Sequence, residues 1–133
     1  MASAWEIISS NRRGGPRYRL GLAASVSIDE ELGDSDLPAV LARTRDVSRE
    51  GLCLIMTTAS LGCHNLIDGA HALRITLALP TGTEIELKCQ VVYCLHHKAS
   101  EPGGEYFVGV RIKGDSSPGF AIYEDFIRSL YRQ

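Results

Sequence analysis

From Tyr18 onward, apolar side chains occupy every second position: Tyr18, Leu20, Leu22, Ala24, Val26 and Ile28. A period of two puts these side chains on one face of an extended chain, so the stretch predicts a strand with that face on a core. Residues 39–45 and 51–58 predict two further strands. They are joined by Asp46-Val47-Ser48-Arg49-Glu50-Gly51, whose Asp, Ser and Gly favour tight turns. Leu73, Ile75, Leu77 and Leu79 alternate up to Pro80-Thr81-Gly82-Thr83, a hairpin signal. Ile85, Leu87, Cys89, Val91, Tyr93 and Leu95 form the most regular inward set, and Tyr106, Val108, Val110 and Ile112 another. Only the end changes period. After Ser117-Pro118, suited to a cap and a first helical position, Tyr123, Phe126, Ile127, Leu130 and Tyr131 fall at helical spacing. The pattern predicts a mainly β fold, a small antiparallel β-barrel of about six strands carrying a C-terminal amphipathic α-helix.

One domain accounts for all 133 residues. Residues 1–11 are short on pattern, and 1–17 are expected to be a mobile N-terminal arm, 18–113 the barrel and 118–132 the helix. Asp29 to Asp36 is acidic and turn-rich, ends at Pro38, and predicts a solvated loop.

Composition narrows the function. Apolar residues make up 44% of the chain, enough for a core, and the net charge is −2. A protein held along a nucleic acid by charge is usually basic overall, so no nucleic acid polymer is expected as a partner. An oligonucleotide-binding barrel would also want several stacking aromatics along a basic groove, and aromatics here are 7%, mostly inward. No stretch approaches a membrane span and none reads as a signal peptide, so the expected location is cytoplasmic. Cys53, Cys63, Cys89 and Cys94 then read as reduced thiols. Together with His64, His96 and His97 they lack the close paired spacing of a structural zinc site, and strand geometry predicts Cys89 and Cys94 on opposite faces. No metal or cofactor is expected. The chain also lacks a nucleophile elbow, a phosphate-cradling loop and a His-Glu-x-x-His, so it predicts no catalytic residues and no enzyme.

Two segments do carry chemistry. Arg12, Arg13, Arg17 and Arg19 place four of the fourteen basic residues within a short stretch, and Gly14-Gly15-Pro16 keeps the intervening backbone out of helix. The guanidinium fork suits a phosphate, and its plane stacks on a purine. In the second segment the Asp46 carboxylate can accept from the N–H groups of a guanine edge, the Ser48 hydroxyl can donate or accept, and Gly51 permits close approach. A weaker third element is the outward face of the last strand, with Phe107, Gly109 and Arg111 in succession.

Arg13-x-x-x-Arg17 followed by Asp46-x-Ser48-x-x-Gly51 resembles the paired signature of PilZ domains, R-x-x-x-R and then D/N-x-S-x-x-G. The run Tyr106 to Ile112 is similar to that family's penultimate strand, and the terminal helix sits where the family has one. The resemblance spans Arg12 to Arg132. It implies a cyclic di-GMP receptor in which Arg12, Arg13 and Arg17 hold phosphates and stack on guanines, Asp46 and Ser48 contact a guanine edge, and Gly51 shapes the turn. Phe107 and Gly109 are secondary candidates. Either one cyclic di-GMP or an intercalated pair is compatible with the motif, and Arg12, directly before the first motif arginine, makes room for the pair. Binding would order the arm over the barrel and present a new surface to a protein partner in motility, pili or biofilm control. The alternative is a PilZ-fold adaptor that recognises its partner without nucleotide.

Overall fold

The alternating apolar positions turn inward around a closed sheet. The computed structural model of the protein describes residues 6–11, 15–29, 39–61, 64–68, 71–97 and 104–131. In chain order its strands are β1 (Glu6–Asn11), β2 (Gly15–Arg19), β3 (Ala23–Ile28), β4 (Val40–Val47), β5 (Gly51–Met56), the short β6 (Ser60–Leu61) and β7 (His64–Asn65), β8 (Ala72–Ala78), β9 (Glu84–His97) and β10 (Glu105–Ile112). Helix α1 (Phe120–Tyr131) ends the described chain. Six strands in the order β4-β3-β8-β9-β10-β5 close when β5 pairs back onto β4. Every pairing in this ring is antiparallel. Closure removes the exposed edges that an open sheet of these strands would leave. The hairpin β1–β2 lies outside the ring and pairs with the end of β4.

The barrel fills with the predicted inward sets. Val26, Leu54, Leu73, Ile75, Leu77, Leu87 and Val108 are fully buried. Each such side chain contributes roughly 1.5–3 kcal/mol by leaving water. Helix α1 adds Tyr123, Ile127 and Leu130 to the same core. The hairpin at Pro80–Thr83 forms as predicted, with Gly82 at φ +93°, a conformation that favours glycine.

Four expectations need correction. First, the stretch read as one strand over 18–28 is two. The chain steps between Leu20 and Leu22, where the Thr44 hydroxyl donates to the Leu20 carbonyl (2.5 Å) and accepts from the Leu22 N–H (2.8 Å). A side chain thus replaces ladder bonds, while the apolar alternation runs on across the break. Second, residues 6–11, short on pattern in the sequence, form β1. Third, the helix starts at Phe120, two residues after Pro118. The Ser117 hydroxyl does not cap it but bonds the backbone of Lys88 on β9 (2.8 and 3.1 Å), and Gly119 lies so close to Ile85 that no side chain fits.

Fourth, β9 changes phase part-way along, which alters the outer surface. Strand β9 carries an irregularity against β10, where Gly109 pairs with Tyr93 and Val110 with Val91, leaving Val92 as an extra residue. One inserted residue reverses the faces of everything beyond it. Tyr93 and Leu95, expected inside, are 40% and 58% exposed. Cys94 packs against the core instead, on the same inner face as Cys89 and not opposite it.

Candidate functional site

A second irregularity lies on β4. Thr44 pairs with Leu54 and Asp46 with Cys53, so Arg45 is the extra residue. Without it Asp46 would point into the barrel. With it, the carboxylate joins an outward row of paired residues across four strands: Asp46, Cys53, Gly109 and Tyr93. The two bulges therefore aim Asp46 and Tyr93 at the same strip of barrel wall. Asp46 belongs to β4, and the turn expected over 46–51 is shorter, comprising Ser48, Arg49 and Glu50.

Asp46 is 3% exposed and bonded. Arg17, from β2, donates to one of its carboxylate oxygens through Nε (2.9 Å) and Nη2 (2.5 Å). Arg45 approaches the other oxygen at 3.8 Å. Tyr93 covers the row from the far side: its ring occupies the space a Cβ at Gly109 would need, and its hydroxyl hydrogen-bonds the Cys53 thiol. Burial, then this bond, pushes the Tyr93 phenol up to about 12, and burial likewise raises the Cys53 thiol. Both stay protonated at neutral pH.

Beside this row opens a cleft of about 260 Å³ lined by residues that include Arg17, Ser48, Gly51, Tyr93, Gly109 and Arg111. The turn at its rim is tightly bonded. The Ser48 N–H and hydroxyl both donate to the Gly51 carbonyl (2.8 and 3.1 Å), and the Ile112 N–H donates to the Glu50 carbonyl (2.8 Å). With its proton committed to Gly51, the Ser48 hydroxyl has lone pairs left for a donor. Gly51 cannot carry a side chain, since a Cβ would overlap the Val110 carbonyl oxygen. Arg111 makes one long bond, 3.4 Å, to Gln90.

Of the residues nominated from sequence, Arg17, Ser48, Gly51 and Gly109 thus line one cleft, and Asp46 braces Arg17 from behind. Phe107 does not line it. Its ring is held between Arg45, 5.0 Å from the ring centre, and His97, stacked at 4.7 Å. Arg12 and Arg13 lie outside the described residues, as does most of the acidic stretch 29–36. Asp29 is described and pairs with Arg74 (3.1 Å) on the β3–β8 wall. Among the described residues no group of three or more His, Cys, Asp or Glu side chains is placed to hold a metal. No helix among them is long and apolar enough to cross a membrane.

The PilZ domain family model matches residues 11–129. The chain belongs to the PilZ domain family. PilZ is a family of cyclic di-GMP receptors, made up of binding domains rather than enzymes. Among solved structures the chain is similar to the PilZ domain of CeSA from a cellulose-synthesizing bacterium, at 18% identity and a TM-score of 0.42, covering 70% of this chain and 78% of that one. No curated protein matches.

In this PilZ domain Tyr93 and Arg111 line the cleft although no motif marks either. Val91, Val92 and Tyr93 are all apolar, which hides in the sequence the change of phase that turns Tyr93 outward. Arg111 stands beside Gly109 on the outward face, but a lone outward arginine carries no motif.

Proposed function

We propose that this PilZ domain binds cyclic di-GMP in the cleft and passes the occupied state to a protein partner acting in motility, pili or biofilm functions. The observation that carries this reading is the Arg17–Asp46 pair. Two motif halves 29 positions apart meet beside Ser48 and Gly51 at the mouth of one cleft. Arg17 and Arg111 are assigned to phosphate, Ser48 to a guanine edge, and the Tyr93 ring to a purine face, where aromatic stacking is worth roughly 1–3 kcal/mol; Asp46, buried against Arg17, meets the same guanine edge once Arg17 turns from it to the phosphate. The cleft is smaller than the roughly 300–1,000 Å³ that encloses most small ligands. A ligand with two guanines extends beyond it, and Arg12 and Arg13 are assigned to that outer part. A ligand of this kind acts in the cytoplasm.

The adaptor alternative has one observation in its favour: Arg17 and Asp46 already satisfy each other without a nucleotide. Isothermal titration with cyclic di-GMP, with GTP and cyclic di-AMP as controls, separates the two. Guanine-selective binding that is lost in Arg17→Ala supports the receptor, and its stoichiometry gives one ligand or two. No heat from folded protein at tens of micromolar nucleotide overturns it in favour of the adaptor.

A further inference from the structure

The turn at the cleft is gripped from behind by the C-terminal helix. Tyr123, on the first full turn of α1, has no exposed surface, and its hydroxyl donates to the Ser48 carbonyl at 2.6 Å. The same hydroxyl lies 3.5 Å from the Gly51 carbonyl, the atom that also accepts both Ser48 donors. The next helical residue repeats the attachment outside the core: Glu124 accepts from Arg49 Nε at 3.2 Å, and Arg49 is the first residue after Ser48 in the turn. The Glu124 carboxylate is itself steadied by Arg128, one helical turn on, at 3.9 Å. Two consecutive helix residues thus hold two consecutive turn residues some 75 positions away in sequence.

This placement is selective. The rest of the buried helix face, Ile127 and Leu130, makes apolar contact with the core. Such contact holds the helix to the barrel but fixes no single backbone carbonyl. Hydrogen bonds are directional, so the Tyr123 hydroxyl sets the orientation of the Ser48 peptide, and with it the side of the turn that lines the cleft. A phenol has no second role to explain in this position: a phenylalanine would fill the same volume.

We propose that Tyr123 is a positioning residue for the ligand site, holding the Ser48–Gly51 turn through the Ser48 carbonyl so that occupancy of the cleft and seating of helix α1 are coupled. The proposal rests on the receptor reading above. Coupling between two sites is reciprocal. If a seated helix favours the bound form of the turn, ligand in the cleft also favours the seated helix, and slows opening of its backbone amides. Ile122, 49% exposed on the outer side of that helix, is then where a partner can sense the difference.

The test uses Tyr123→Phe, which removes one oxygen and keeps the ring, together with Glu124→Gln, a partly exposed substitution that leaves the core intact. Titration with cyclic di-GMP is paired with amide hydrogen exchange over residues 120–131, with and without ligand. The expected result for Tyr123→Phe is binding weaker by about five- to ten-fold, the loss expected of one hydrogen bond. The ligand-dependent slowing of helix exchange seen in the unmodified protein should vanish as well. A tyrosine that only supports the fold would lower stability and leave both readouts unchanged; that result, affinity within about two-fold and slowing retained, overturns the proposal. If Tyr123→Phe does not fold, Glu124→Gln decides: reduced slowing supports the coupling, and unchanged slowing with unchanged affinity refutes it. Absence of binding by the unmodified protein overturns the receptor reading itself and the proposal with it, an outcome distinct from binding that ignores Tyr123.

Discussion

Gly51 and Gly109 lie on adjacent strands of the outer wall, and a methyl group at each meets a different obstacle. At Gly51 it overlaps the Val110 carbonyl oxygen; at Gly109 it enters the Tyr93 ring. Backbone inside a closed ladder has nowhere to go, so Gly51→Ala is expected to cost about 2–4 kcal/mol. A ring that is 40% exposed can rotate away, so Gly109→Ala should cost about 1 kcal/mol while uncovering Cys53. Urea unfolding of the two variants measures the difference, and equal losses would show that Tyr93 is held as firmly as backbone. The same pair shows what was legible in the sequence. Gly51 stood out because it ends a motif whose turn chemistry is local. The reason for Gly109 was hidden, since it depends on a tyrosine from another strand whose facing no local pattern reveals.

At the level of elements, period-two alternation was enough to place the barrel strands and their inner faces. It failed at the interruptions. Arg45 and Val92 each insert one residue into a ladder, and neither is a glycine or proline that would mark a break. Yet these insertions bring Asp46 and Tyr93 onto one outer row, so the site's geometry depended on the least legible feature. The β2–β3 step is similar. Its cause is Thr44, 2% exposed, bonding Leu20 and Leu22 from the neighbouring strand. Thr44→Val keeps the volume but strands a buried N–H and a carbonyl, with an expected loss of about 1–3 kcal/mol. Because β2 carries Arg17 just before this joint, the variant should also be cut faster near residues 20–22 under limited proteolysis. Unchanged denaturation and cleavage would mean that the ladder closes without the threonine.

For the molecule as a whole, burial of protonated groups gives stability a direction with pH. Burial pushes the Cys89 thiol from 9.0 up to about 12, with Lys113 opposing weakly, and raises the fully buried Tyr123 phenol as well. Each group holds its proton more tightly folded than unfolded. The unfolded chain therefore releases protons first as pH rises, and unfolding gains from alkali. For Cys89 the contribution is complete below pH 9 and is lost between 9.0 and about 12. At about 1.4 kcal/mol per pH unit, that loss is on the order of 4 kcal/mol, a large part of the roughly 5–15 kcal/mol that holds a typical domain together. The unfolding midpoint in urea should stay level from pH 7 to 9 and then fall steeply. Cys89→Ala starts lower, because it leaves a small cavity beneath Ile112 and Leu73, the residues paired with Cys89 on either side. Its decline above pH 9 should be shallower, with Tyr123, Tyr93 and Cys53 supplying what remains. If the two curves stay parallel through that interval, the alkaline sensitivity belongs to the helix and the cleft rather than to the thiol in the barrel core.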